Sequence, residues 1–441
     1  MKGRMFRVLL SLLIIGLVGS LSTAFGQATR EKGRKFFGYN LDGMKPVTLI
    51  YASTARINTA GDIEAKFFKQ LVETESKGKI KIDLHEHSSL YKMTDIPKVL
   101  PKGTIDIGAI NKGLLMTREP GYGPWVVAYV WKNPEHLLSV TSSREWYEME
   151  DSLAKKKWNL KPLNHSAHGN WDYWSSQPIK TMEDFRGKRV WSYGQLSNAY
   201  IKAWGGTPII KSTSEMYMAY RKGDLHAISF SVVGYHDYKF YEGGKYWLHM
   251  PTYPPGSIGF HYEQNYINRT KWNKLSETQK RIVLDASDLM SWHGIWEGFC
   301  QEAAWEFRLT NEKGVIDVGI STKTPEEYKK ITTAAVEAGK KYAFGRGVKQ
   351  AQWDKAKSLL AKYARDEYTS QYSWWYELAN AESKRRMDQA NKSIAAGKSA
   401  DEAYGAVNSL RERKMSYEEQ KASWISIPRI ARDWPMKLRL Q

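Results

Sequence analysis

The chain has 441 residues, a formal net charge of +19, one cysteine, 18 Trp and 26 Tyr. The single cysteine, Cys300, excludes an intrachain disulfide and a cysteine-rich metal site, so stability must come from a buried core, which a chain of this length can supply. Lys and Arg are spread along the whole sequence without a compact basic arm, which argues against a nucleic-acid partner, while rings at this density suit a binding cleft as well as a core.

Lys2, Arg4 and Arg7, the apolar run Val8 to Val18 and the small residues around Ala24-Phe25-Gly26 read as a secretory leader over 1–28, cleaved near Gly26-Gln27. The apolar run is shorter than the ~20 residues that span a bilayer. Residues 30–45 form an irregular lead-in. Val47 to Ala52 is a strand signal, and Ile63, Phe67, Leu71 and Val72 recur at helical spacing over 60–75. Gly78 ends that helix, Lys79 to Leu84 alternates as a second strand, 94–100 is a short helix, and Gly103 to Ile110 is a third strand. This β-α-β-α-β order is that of a mostly parallel sheet covered by helices.

Residues 134–157 read as helical. Leu160 to Leu163 is a strand candidate entering His165-Ser166-Ala167-His168-Gly169-Asn170-Trp171-Asp172-Tyr173-Trp174, which shows no helix or strand period and is expected to be a loop. A second α/β unit occupies 181–246. Its strands are Arg189 to Tyr193, Thr207 to Ile210 and Leu225 to Phe230, with helical runs from Ser197 and Ser214 between them. Ligands gather at the carboxyl ends of such strands. Ser257 to Tyr262 is expected to return to the first sheet. A long helix spans 276–311 behind a Ser-Glu-Thr cap signal, and further helices cover 325–341, 351–365 and 373–394, before a polar tail from Trp424 to Gln441.

Four segments of this succession are similar to the solute-binding proteins of tripartite ATP-independent periplasmic (TRAP) transporters, the C4-dicarboxylate-binding type. They are Lys77-Gly78-Lys79-Ile80-Lys81-Ile82; Leu100 to Ala109; Pro178-Ile179-Lys180-Thr181 through Asp184-Phe185-Arg186-Gly187-Lys188; and Glu215 to Gly223 followed by Lys239-Phe240-Tyr241-Glu242 and Lys245-Tyr246. Their order and spacing agree over roughly residues 46–345. The resemblance implies an α/β, two-lobed periplasmic-binding-protein-like fold with mixed sheets, long crossing helices and a ligand cleft between the lobes. One lobe is expected to comprise 46–160 and 252–290, the other 161–251 and 291–345, with a helical C-terminal extension over 346–441. Function is expected to be capture of a small organic solute and its delivery to TRAP-type permease subunits, in the periplasm, by a monomer or dimer without catalysis or cofactor.

One departure bears on the ligand. The family's strand after Asp-Leu-Lys-Gly ends in an arginine that pairs with the solute carboxylate, and aligned without a gap that position is Trp191. An indole cannot replace the two parallel charge-assisted bonds of a guanidinium. Arg189, two positions earlier on the same strand face, takes that role if the register shifts. The altered positions Ser229 and Phe230 stand where the family commonly has Glu, Asn or Trp.

Candidate ligand-binding residues are therefore Arg56, Asn58 and Asn111 after the first-lobe strands, His168, Trp171, Tyr173 and Trp174 in the aromatic run, and Arg189, Trp191, Tyr193, Ser229 and Phe230 in the second unit. Stacking surfaces suit a quaternary amine, a planar acid or a sugar alike. Each candidate also has a packing or solvated reading. His85-Glu86-His87 places two imidazoles on one strand face, and a solvated strand end is the expectation over a metal site. No Gly-x-Ser-x-Gly elbow, phosphate loop or His-Glu-x-x-His occurs. A secreted α/β enzyme acting on a carbohydrate or aromatic substrate, and a sensor or scaffold with the same fold, are the alternative readings.

Overall fold

The computed structural model describes residues 37–55, 60–111, 115–116, 118–132, 134–141, 143–192, 194–211, 213–250 and 260–408. The leader, Arg56, Asn58, Tyr193 and the tail beyond 408 lie outside the described residues, as do the side chains of Asn111 and His168.

β1 (Val47–Ala52) and β2 (Ile80–His85) pair in parallel, Val47 opposite Ile80 through Ala52 opposite His85. Alternation along β2 buries Ile80 and Ile82 and leaves Lys81 and Asp83 outside. Between them α1 (Ala60–Glu75) turns Phe68, Leu71 and Val72 into the core. That helix stops because Lys77 and Gly78 enter the left-handed region, at φ 50° and 75°, and Gly78 N–H donates back to the Glu73 carbonyl at 2.8 Å. β3 (Ile107–Asn111) lies parallel to β1 on its other side. The helical stretch that follows is two helices, α2 (Pro134–Thr141) and α3 (Arg144–Trp158). Ser143 interrupts them and caps α3, its Oγ accepting the Trp146 N–H at 3.2 Å.

β4 (Leu160–Ser175) runs unbroken for 16 residues. The expected aromatic loop is the body of this strand. Beyond it come β5 (Arg189–Ser192), α4 (Gln195–Ala203), β6 (Thr207–Ile210), α5 (Thr213–Arg221), β7 (Ala227–Ser231), α6 (Val232–Asp237) and the short β8 (Tyr246–Trp247). β5 is parallel to both β6 and β7. β9 (Phe260–Asn268) then returns to the first half and pairs antiparallel with β3, Ile107 opposite Ile267 through Asn111 opposite Glu263. The strand order is β2-β1-β3-β9-β4-β7-β5-β6, with β8 beside β4 and β10 (Ile316–Asp317) beside β8. β4 thus belongs to both halves. Its stretch from Leu160 to Asn170 pairs with β9, and Trp171 to Ser175 pairs with β7.

Two long helices run across both lobes, on opposite faces. α7 (Glu277–Asn311) contributes Ile282, Val283 and Leu284 to the first-lobe core and Ala304, Trp305 and Leu309 to the second. α8 (Pro325–Gly345) lines the other face with Tyr328, Ile331 and Ala335. The adjacent β5 residues mark the two faces, since Val190 packs in the α8 cluster and Trp191 in the α7 cluster. The chain continues through α9 (Gln350–Tyr363), α10 (Asp366–Ala395) and α11 (Ala400–Asn408). No helix among the described residues is long and apolar enough to cross a membrane.

Candidate functional site

The pairing registers fix where the two lobes meet. β3 runs parallel to the first stretch of β4, so Asn111, opposite Glu263, lies level with Ser166 of β4, which also opposes Glu263. β7 runs against the second stretch and ends with Ser231 opposite Trp171, and β5 runs with β7. The carboxyl ends of both parallel sets therefore converge on Ser166 to Trp171 of β4. This is the place where open α/β sheets bind ligands.

Three rings gather at the second-lobe side of that convergence. The half-buried Trp171 lies 6.4 Å from Trp191, with their planes within 7°. Phe230 is 5.5 Å from Trp171 and 6.5 Å from Trp191. The Trp191 Nε1–H donates to the Lys211 carbonyl at 2.9 Å, which fixes the ring's orientation. One position before Phe230 on β7, Ser229 is buried, and its Oγ has no hydrogen-bond partner among the described residues. Ser231 Oγ accepts the Gly234 N–H at 3.1 Å, capping α6 at the same end of the sheet.

The other candidates fall elsewhere. Tyr173 and Trp174 are fully buried. Trp174 donates from Nε1 to the Phe230 carbonyl at 2.9 Å, so it supports the ring cluster from behind. Arg189 sits at the amino end of β5, where its Nε and Nη2 donate to the carbonyls of Asp224 and Gly223 at 2.6 and 2.7 Å. It shares a strand face with Trp191 but lies at the other end of the strand. Around His85-Glu86-His87 the described groups form a charge network. Lys66 Nζ is 2.8 Å from Asp62 and 2.9 Å from Glu86, and His87 Nε2 is 3.1 Å from Asp62. A lysine ammonium thus lies between the carboxylates.

Sequence reasoning passed over Asp172, Trp247 and His249, which underpin the ring cluster. Asp172 is buried and accepts from Trp247 Nε1 at 2.8 Å, Met250 N at 3.0 Å and Tyr173 N at 2.7 Å. Burial pushes its carboxyl up to about 6, against the charge of His249 and these hydrogen bonds. Burial likewise pushes Glu306 on α7 up to about 7. Burial alone would lower His249, but its 2.8 Å contact with Asp317 and the charge of Asp172 hold it above its ordinary value. Above this group Tyr235, Trp174, Trp247 and His249 form one continuous stack, with successive centroids 3.9, 5.1 and 4.1 Å apart. The available signal was a lone carboxylate inside a run of rings, a residue that stays buried only with donors around it.

Residues 51–342 match the family model described as bacterial extracellular solute-binding protein, family 7. Among curated relatives, the sialic acid-binding periplasmic protein SiaP of Vibrio cholerae serotype O1 is 25% identical over 240 residues, 54% of this chain and 73% of that protein. The 2,3-diketo-L-gulonate-binding periplasmic protein YiaO of Escherichia coli is 25% identical over 230 residues, 51% of this chain and 67% of its own length. In fold, the chain is similar to a TRAP periplasmic solute-binding protein from Sulfurospirillum deleyianum solved with bound succinate, at a TM-score of 0.62 and 18% identity, covering 72% of this chain and 100% of that one. With the family matched over most of its length and the two-lobed fold in place, the chain belongs to the family 7 extracellular solute-binding proteins, the solute receptors of TRAP transporters.

Proposed function

We propose that this receptor closes its lobes on a small cyclic or aromatic acid, holding the ring in the second lobe by stacking and not by an arginine–carboxylate pair, and hands it to TRAP permease subunits. The observation that carries this reading is the cluster of Trp171, Trp191 and Phe230 at the converging strand ends, with Trp191 at the position where the resemblance puts the carboxylate-binding arginine. Rings offer faces to a planar solute and bury large area at small cost in rotamer freedom. The relatives named above are described as binding sialic acid, a diketo-gulonate and succinate, so an acidic group on the solute is retained in the proposal. Arg56, following β1 in the sequence, is the candidate to meet it, with Asn58, Asn111, His168 and Tyr193 as further polar contacts. The lobe boundaries given above and removal of the 1–28 leader near Gly26-Gln27, which would place the mature protein in the periplasm, belong to the same reading.

A thermal-shift screen of C4-dicarboxylates, cyclic and aromatic acids, amines and sugars tests it, since specific binding to the folded state raises apparent stability. Cyclic or aromatic acids are expected to give the largest shifts. Trp191→Ala is expected to weaken the best of them about tenfold or more, the range of a lost aromatic anchor of about 2 kcal/mol. Tightest binding of succinate, unchanged by Trp191→Ala, would sink the reading.

A further inference from the structure

The matched family region ends at residue 342, and the succinate-bound relative is covered end to end by 72% of this chain. The helices beyond α8 lie outside the matched family region. They grip the molecule at two places.

One grip is on the first lobe. His136, buried on α2, donates from Nε2 to the Leu360 carbonyl of α9 at 2.9 Å, while its Nδ1 accepts the Lys132 N–H at 3.1 Å. Glu145 at the start of α3 receives Lys362 Nζ at 2.6 Å and the Tyr363 hydroxyl at 2.8 Å. α3 is anchored in turn to the first-lobe sheet, because Glu150 accepts from the Tyr266 hydroxyl of β9 at 2.5 Å.

The other grip is inside the second lobe. Ser383, Arg386 and Ala390 form a buried stripe on α10, continued by Met387 and Ile394. Ala390 of this helix and Ala403 and Tyr404 of α11 belong to the cluster that holds Trp174, Ile228 and Phe230, and Met387 and Ile394 pack against it. Arg308 of α7 is the rivet. It is only 2% exposed, its Nη2 donates to Asp401 at 2.7 Å, and its guanidinium lies 4.6 Å from the Tyr404 ring and 5.4 Å from the Trp305 ring. Between the grips α10 runs for 30 residues, about 45 Å, and packs on both α2 and α7.

We propose that residues 346–408 are a strap that ties the two lobes together and narrows the range over which they open. Lobe opening in a two-lobed receptor is a rigid-body rotation about connecting segments. A helix fixed to both bodies must bend, or lose a grip, for that rotation to proceed. The consequence for capture is a larger share of near-closed molecules before solute arrives, and apparent affinity rises with that share.

The test is an inter-lobe distance distribution from spin labels on Lys102→Cys and Glu183→Cys, both exposed positions, with buried Cys300 left in place. In the full chain a narrow distribution is expected. The triple variant His136→Ala, Glu145→Ala, Lys362→Ala releases the first grip, and its distribution is expected to broaden with the mean moved outward by several ångström. Should the triple variant lose cooperative unfolding, the pair Glu145→Ala and Lys362→Ala, which alters only partly exposed side chains, is read in its place with a smaller shift in the same direction. An unchanged distribution in whichever of these variants folds overturns the strap.

Discussion

The two lobes are built from different materials. The first-lobe cluster is largely aliphatic, with Leu49, Leu71, Val72, Ile80, Ile82, Ile282, Val283 and Leu284 at its centre. In the second lobe Trp174, Trp191, Tyr220, Phe230, Tyr235, Phe240, Trp247, Trp305 and Tyr404 take that place. Aliphatic burial is non-directional, whereas a buried indole or phenol needs an acceptor at a fixed position. The second lobe supplies an acceptor to four of these rings: the Phe230 carbonyl for Trp174, the Lys211 carbonyl for Trp191, Asp172 for Trp247 and the Gly244 carbonyl for Tyr235. Those four rings are held in orientation as well as in depth. A cleft wall continuous with such a core is preorganised, which lowers the ordering cost of binding.

The largest test of this contrast is Trp174→Ala. It removes the centre of the four-ring stack and should cost about 3–5 kcal/mol in denaturant unfolding. Ile82→Val in the first lobe should cost only about 0.5–1.5 kcal/mol. Equal losses would erase the distinction. Next in size is a pH effect. Asp172, raised to about 6, contributes stability that is full below its ordinary 3.8 and is lost as pH rises through about 6. His249, also raised, acts in the same direction. His136 in the strap grip is lowered to about 4, chiefly by burial, so its contribution is full above 6.5 and lost as pH falls through about 4. Between pH 7 and pH 5 Asp172→Asn should therefore lose about 1 kcal/mol more stability than the unaltered chain, measured by urea midpoints at the two pH values. His136→Gln should lose less. The smallest effect belongs to Arg189→Ala, expected within about 0.5 kcal/mol and without change in solute affinity, because its guanidinium serves the exposed turn at Gly223 and Asp224. A large affinity loss there would return the cation to the site.

Much of the architecture was legible. Alternation in β2, helical spacing in α1 and the strand–helix–strand order of 181–246 gave the α/β halves, and four motifs gave the family. β4 was not legible, for a physical reason. Its first stretch serves one half of the sheet and its last stretch the other, with register shifts after Pro162 and Ala167, so no single alternation runs through it. Trp171, Trp191 and Phe230 were legible as candidates by type and place. Their mutual approach depends on β4 and β5 being brought to opposite sides of β7, which no local pattern encodes. The helix over 373–394 was legible, but the cluster that Ala390 joins, with Trp305 on a helix some eighty positions earlier, was not.

The first lobe is finished by a strand that is made after the second. β9 closes the sheet between β3 and β4, and Asn268 at its end donates to the Leu100 carbonyl, 168 positions earlier, at 2.9 Å. Neither lobe can therefore reach its final form as the chain emerges. The chain must be present through Asn268 before the sheet seals, and such non-local pairing makes folding slow. For a chain proposed to leave the cytoplasm behind a leader peptide, that delay works in its favour. On that proposal, the order of strands keeps the emerging chain incomplete, and so open to export.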